Sequence, residues 1–239
     1  MKILFISLGC DKNLADSEEM LGLLTANGHE IVDSEEEADA IVINTCCFIH
    51  DAKEESVNTI LEMAEYKKTG TCKILIVTGC MAQRYKEEIT EEIPEVDAVL
   101  GTTSYGDIVK ALNEAEAGHV FREFKDINAL PEDSGRRVIT TGGHFGYLKI
   151  AEGCDKHCTY CIIPSLRGKF RSVPEERLLK QAEYMASQGV RELILVAQET
   201  TVYGTDLYGK KTLHILLKKL CQIKGIRWIR VLYCYPEEI

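Results

Sequence analysis

Cys154, Cys158 and Cys161 follow one another in C-x3-C-x2-C spacing, with Tyr160 just before the last. Several thiolates on one short segment are the hallmark of an iron–sulfur cluster. A cubane has four irons, so three protein ligands leave one iron open to a substrate or cofactor. A purely structural centre would be closed. The flanks argue for a loop: Leu148-Lys149-Ile150-Ala151 reads as the end of a strand and Gly153 as a turn, after which the thiols can converge. Two competing chemistries stay in view. His157 would complete a Cys3His zinc site, although structural zinc usually draws paired ligands from two separated segments. Disulfides belong to an oxidising compartment, and nothing else in the sequence suggests one.

A second trio shares one grammar. Cys10 follows Ile3-Leu4-Phe5-Ile6-Ser7-Leu8-Gly9, Cys46 follows Ala40-Ile41-Val42-Ile43-Asn44-Thr45, and Cys80 follows Ile74-Leu75-Ile76-Val77-Thr78-Gly79. Short β-branched apolar runs of this kind mark strands buried on both faces of a parallel sheet. The carboxyl ends of such strands lie along one edge, where ligands bind, so these cysteines should gather there despite their separation in sequence. Against this stands the ordinary habit of free cysteine, which packs as a small buried apolar residue. Cys47, Cys72, Cys221 and Cys234 fall outside both trios.

These thiols need elements to carry them. Residues 1–125 read as strand, helix, strand, strand, helix, strand, helix, strand, helix, an alternation that argues a doubly wound parallel α/β sheet. The first helix is predicted to open near Asp16, with Glu19 completing a capping box. It should bury Met20, Leu21, Leu23 and Leu24 and stop at Asn27-Gly28. A second helix is predicted over 52–67, burying Val57, Ile60, Leu61 and Ala64, followed by a helix over 83–92, a strand at 98–100 and a helix over 104–117. The pattern breaks up at Pro131, Ser134-Gly135, Arg136-Arg137 and Gly142-Gly143, which places a linker over 126–143. From 144 to 239 the sequence reads as the first βα units of a barrel. A strand over 145–151 leads to a helix opened by Pro174 and ended at Gly189, then to a strand at 193–196. Next come a helix lined by Leu213, Leu216, Leu217 and Leu220 and a strand over 226–234; Cys221 is expected in the core.

Composition narrows the class. With 239 residues and 45% hydrophobic content, the chain suits one large or two small globular domains and not a disordered protein. No stretch reaches the length of a membrane span. The apolar run after Met1 is too short, and its cationic flank too weak, for a signal peptide, so it reads as the first strand of a cytoplasmic protein. The net charge of −10 hides an asymmetry: residues 1–135 carry 28 acidic and 11 basic side chains, the remainder 10 and 17. An acidic first half repels nucleic acid and attracts a basic protein, although solvated helix faces account for much of the acid.

Gly153-Cys154-Asp155-Lys156-His157-Cys158-Thr159-Tyr160-Cys161-Ile162-Ile163-Pro164 resembles the radical S-adenosylmethionine motif of the methylthiotransferases. Cys10, Cys46 and Cys80 resemble the ligands of the auxiliary cluster in that family's amino-terminal domain. The resemblance implies two 4Fe–4S clusters, one on each trio, with S-adenosylmethionine as cofactor. In that family the cofactor's amino and carboxylate groups chelate the open iron, and an electron from the cluster splits the sulfonium to give a 5′-deoxyadenosyl radical. Cys47 stands where the family usually has glycine; the ligand is assigned to Cys46, which holds the Asn-Thr-Cys position.

Ser7-Leu8-Gly9-Cys10-Asp11-Lys12-Asn13-Leu14-Ala15-Asp16-Ser17-Glu18 and Ala197-Gln198-Glu199-Thr200-Thr201 are similar to the branch acting on ribosomal protein uS12. The tRNA-modifying branch opens differently, with Tyr-Gly-Cys-Gln-Met-Asn. Ala15 and Val173 depart from the valine and arginine common there. By this resemblance one S-adenosylmethionine methylates a sulfur on the auxiliary cluster. A second yields the radical that takes hydrogen from the β-carbon of a uS12 aspartate, and carbon then couples to the methylated sulfur. Such a radical needs its sulfur close by before water or protein quenches it. An electron donor such as flavodoxin or ferredoxin goes with this reading; a membrane or nucleic-acid partner does not.

Tyr160, Gln198, Glu199 and Arg167 are the candidates for binding S-adenosylmethionine, Gln198 and Glu199 because barrel sites form at strand carboxyl ends. Gln198 as a buried amide serving loop backbone is the equal alternative. Arg167, Lys169 and Arg171 could pair with a cofactor carboxylate or with substrate, or simply be solvated. His144 and His157 are read as bystanders. Three strands do not close a barrel, and the family's barrel continues into a small all-β TRAM domain. The chain is therefore expected to be about half of a family member, and inactive alone. The alternatives are a tRNA adenosine methylthiotransferase and a noncatalytic iron–sulfur module.

Overall fold

The computed structural model describes residues 1–132 and 135–238; Asp133 and Ser134, within the predicted linker, lie outside the described residues. The chain divides into two compact units, Met1–Val138 and Ile139–Ile239.

In the first unit, β1 (Lys2–Ser7), β2 (Glu30–Val32), β3 (Ala40–Thr45), β4 (Ile74–Gly79), β5 (Ala98–Leu100) and β6 (Phe121–Glu123) form one sheet in the order β2-β1-β3-β4-β5-β6. Every pairing is parallel. The β3 and β4 runs are buried along their whole length, which is why they read as continuous apolar segments and not as alternating ones. Helices α1 (Asp11–Ala26), α2 (His50–Thr69), α3 (Cys80–Arg84), α4 (Lys86–Glu92) and α5 (Ile108–Glu116) supply the crossovers. Ala40, Val42, Ile74, Ile76, Ala98 and Leu100 alternate onto one face and pack with Met20 and Leu24 of α1 and Ile108, Ala111 and Leu112 of α5. The strand order reverses between β1 and β3, the switch point at which open α/β sheets take their ligands.

Several predicted details differ. Helix α1 begins at Asp11, five residues before the capping box read at Asp16, and Cys10 is its N-cap without a side-chain cap bond. Asp16 and Glu19 are buried within the helix. Leu61 of α2 is 48% exposed, because the helix presents Ile60, Met63 and Ala64 inward. The predicted third helix is broken at Tyr85 into α3 and α4 and starts at Cys80 itself. Strand β6 was not expected. Part of the predicted linker is firmly lodged: the Arg137 guanidinium pairs with buried Glu18, at 2.7 Å from its Nε, and Val138 N donates to Glu18 O.

In the second unit, β7 (Phe145–Lys149), β8 (Ala151–Glu152), β9 (Arg171–Ser172), β10 (Glu192–Val196) and β11 (Trp228–Val231) alternate with α6 (Ile163–Arg167), α7 (Glu175–Ser187), α8 (Thr205–Tyr208) and α9 (Leu213–Leu220). Strands β7, β10 and β11 form a parallel sheet in the order β11-β10-β7, while β8 and β9 pair antiparallel. Parallel neighbours in sequence order, each joined through a helix, are successive βα units. The single strand predicted over 145–151 is thus two, with the second pairing elsewhere. Cys221 is exposed at the C-cap of α9, where the helix ends before it can turn that residue inward. Among the described residues, no helix is long and apolar enough to cross a membrane.

Candidate functional site

Adjacent strands β1, β3 and β4 each run into a cysteine. At Gly9 the backbone takes φ +92°, which turns the chain out of β1 and makes Cys10 the N-cap of α1, at the positive end of the helix dipole. Cys46 leaves β3 with both backbone groups held by one hydroxyl: Ser56 Oγ accepts from Cys46 N at 3.0 Å and donates to Cys46 O at 2.8 Å. Gly79, at φ +94°, delivers Cys80 to the first position of α3. Cys46 and Cys80 are buried and Cys10 is exposed.

The three segments close on one another. A Cβ on Gly9 would stand 2.6 Å from Cys46 Cβ and 2.9 Å from Cys46 Sγ, so only glycine lets the Cys10 loop approach the second thiol. The buried side chain of Asn13 lies among them, with its Oδ1 3.9 Å from Cys80 Sγ. Cys47 is buried and donates to Cys80 O at 3.3 Å; burial pushes its thiol up to about 12, with Cys80 adding to the effect. Its neighbour Cys46 is the one beside Gly9.

The second trio hangs on one loop with a tied neck. Residues Ala151 and Glu152 pair with Ser172 and Arg171, Cys154 N donates to Gly168 O at 3.1 Å, and Phe170 N donates to Asp155 Oδ1 at 3.0 Å. Gly153 is indispensable there: a Cβ would stand 2.0 Å from Lys169 O and 2.4 Å from Gly168 O. Cys161 N bonds back to Cys158 O, and His157 is held at φ 46°. All three thiols are partly exposed; burial pushes Cys154 up, and Cys161 and Cys158 lie near enough to add to that.

Beneath the neck sits a buried charge cluster. Burial alone would raise the Glu152 carboxyl, but Lys149 and Arg167 beside it hold it down at about 2. Arg167 is 3% exposed and stands 3.5 Å from Glu152, while its carbonyl accepts from the Arg171 guanidinium. These contacts make Arg167 a support of the loop and argue against its reaching a cofactor's carboxylate. Glu199, buried just beyond β10, meets Lys156 of the cysteine loop at 3.3 Å. Lys156 also lies 4.4 Å from the Tyr235 ring centroid, and burial together with Cys154 raises the Tyr235 phenol. Gln198 is partly exposed and Tyr160 is 86% exposed. Lys156, Tyr235 and Asn13 were missed in the sequence; only a polar residue at a helix position destined for burial could have drawn the eye to Asn13.

Among the described residues, no three His, Cys, Asp or Glu side chains are placed to share one metal ion. A cubane sets a different requirement, since each thiolate binds its own iron. The six cysteines are free thiols, and the glycine cradles at Gly9 and Gly153 bring the backbone close around them, so the residues present fit such a group at both places.

A parallel sheet with thiols at three adjacent strand ends, followed by βα units bearing a C-x3-C-x2-C loop, is the arrangement that the resemblance to radical S-adenosylmethionine proteins implies. Residues 148–237 match the family described as the Radical SAM superfamily, and residues 2–101 match Uncharacterized protein family UPF0004. The chain is 66% identical over its whole length to the "Ribosomal protein uS12 methylthiotransferase RimO" of Lachnoclostridium phytofermentans, covering 54% of that protein. It is 52% identical to the protein of the same name from Clostridioides difficile, again covering 54%. The chain is thus similar along its whole length to radical S-adenosylmethionine methylthiotransferases, and it spans about half the length of the curated relatives it matches. Among solved structures, the radical S-adenosylmethionine methyltransferase TsrM of Kitasatospora setae, with cobalamin and a 4Fe–4S cluster bound, superposes over 91% of this chain and 50% of its own at TM-score 0.57 and 11% identity. The cobalamin-dependent enzyme OxsB does so over 95% of this chain and 38% of its own, at TM-score 0.53 and 15% identity. That likeness is one of fold.

Proposed function

We propose that this chain serves a methylthiotransferase that places a methylthio group on the β-carbon of an aspartate in ribosomal protein uS12. It would work in the cytoplasm with two 4Fe–4S clusters, S-adenosylmethionine and an electron donor such as flavodoxin or ferredoxin. The observation that carries this reading is the presence, in one chain, of three thiols at neighbouring strand ends and three more on a single tied loop. When bound, the clusters and cofactor supply reductive cleavage of a sulfonium at one centre and sulfur at the other.

The chain's own residues would hold, orient and shield. Cys154, Cys158 and Cys161 would carry the loop cluster, and Cys10, Cys46 and Cys80 the auxiliary one. Gln198 and Glu199, at the carboxyl end of β10, would orient the cofactor, with Tyr160 at the exposed tip of the loop. Lys156 ties Glu199 to the cysteine loop, so that the two approach as one piece. Burial of Cys46 and Cys80 keeps water from two of the auxiliary thiols.

The test offers uS12 and hypomodified tRNA side by side to a reconstituted chain of the relatives' full length. Product on uS12 is expected. Product on tRNA alone moves the assignment to the tRNA branch, and failure to cleave S-adenosylmethionine under reducing conditions favours a noncatalytic cluster module.

A further inference from the structure

Below the first trio lies a buried polar network that ligand assignment leaves unexplained. Asn13 of α1 is fully buried, and its Nδ2 donates to two carbonyls, Leu8 O at 3.1 Å and Thr45 O at 2.9 Å. These acceptors belong to different strand ends, one two residues before Cys10 and the other directly before Cys46. With both amide protons engaged, the orientation of the amide is fixed, and Oδ1 faces the third segment, 3.9 Å from Cys80 Sγ. One side chain thus touches all three ligand-bearing segments.

Asn44 holds Asn13 from behind. Its Nδ2 donates to Asn13 O and to Ser17 Oγ, both at 2.9 Å, and Ser17 Oγ lies 2.7 Å from Ser7 Oγ. Asn44 Oδ1 occupies the space a Gly79 Cβ would need, at 2.3 Å, so the glycine before Cys80 is what admits it. An apolar side chain would fill the Asn13 position without any need for hydrogen-bond partners, whereas a buried amide is tolerated only when its groups are satisfied. What the amide adds is geometry. Thr45 and Cys47 already tie the second end to the third through Thr78 O and Cys80 O, and of these side chains the Asn13 amide alone reaches the Cys10 end as well, before any metal is present.

We propose that Asn13 is a positioning residue that sets the mutual spacing of Cys10, Cys46 and Cys80 in the metal-free protein, an inference that rests on the two-cluster reading above. Asn13→Ala removes all three contacts. Asn13→Asp keeps the size but loses both N–H donors and opposes a carboxylate to the two carbonyls.

The experiment uses the 239-residue chain with Cys154, Cys158 and Cys161 replaced by alanine, so that bound iron reports the first trio alone. Anaerobic titration with ferrous iron and sulfide is followed by the visible absorption and by the electron paramagnetic resonance of the reduced cluster. In both variants half-loading should need at least tenfold more iron, and the reduced spectrum should split from one species into several. Far-UV circular dichroism and the count of fast-reacting thiols in the metal-free chain report folding. Should Asn13→Ala unfold, Asn44→Ser, which frees Asn13 O and Ser17 Oγ but leaves the Asn13 amide in place, must produce the same spectral splitting in a smaller fraction. Equal loading with an unchanged spectrum in a folded variant overturns the proposal, as does weaker loading whose spectrum stays single, since that is plain destabilisation. If the parent chain takes up no iron, the two-cluster reading itself fails, and this inference goes with it.

Discussion

In the first unit the thiols come from segments 36 and 34 residues apart and meet because β1, β3 and β4 are neighbours in one sheet; in the second, eight residues of one loop supply all three. The first arrangement is carried on sheet strands with two of its three thiols buried, the second is partly exposed and held at its neck and through Lys156 to Glu199. The contrast teaches that a similar set of donors can be specified by topology or by local sequence. Damage should spread accordingly: a change at the first trio disturbs the packing of its sheet edge, while a change at the loop stays within the second unit.

The largest effect tests whether two centres exist at all. Anaerobic reconstitution should load roughly eight irons, and alanine at Cys154, Cys158 and Cys161 together should leave roughly four, as should alanine at Cys10, Cys46 and Cys80. An unchanged iron count in either triple variant removes that centre from the comparison. Next comes Glu152→Gln, which leaves Lys149 and Arg167 buried around a neutral amide. Breaking such a pair costs about 3–5 kcal/mol, so urea unfolding should show the second unit destabilised while the first is unmoved. Gly9→Ala should be milder, on the order of 1–3 kcal/mol, because the added Cβ meets Cys46 at a φ that only glycine adopts freely. Iron on the first trio should fall with it, and calorimetry that finds the first unit's melting unchanged would show that this edge can yield. The smallest effect separates neighbours: Cys47→Gly should leave iron content intact, whereas Cys46→Ala should lower it, and the reverse result would shift the ligand by one residue.

Much of this was legible in the sequence for a physical reason. Strands β1, β3, β4 and β10 are apolar β-branched runs bounded by glycine or polar residues, and such a pattern has few other uses. What escaped lacks a periodic signal. Strands β8 and β9 are two residues each and exist only as the closing pair of the loop neck, while β6 has three residues at a sheet edge. The start of α1 was misplaced because Cys10 caps it without a side-chain bond, while the Asp16–Glu19 pair imitates a start. Leu61 and Cys221 show the limit of helical wheels: both sit at apolar periods, yet one faces solvent and the other lies past the last turn. Asn13 and Lys156 act through contacts to residues distant in the chain, which no local window displays.

The strand order also bears on maturation. Parallel neighbours are joined by helical crossovers, so the vessel at the β1, β3 and β4 ends is complete only once about eighty residues have emerged and packed. By then the ribosome has not yet translated Cys154. The thiol-bearing edge of the first unit is thus encoded, and able to pack, ahead of the loop that carries the second trio.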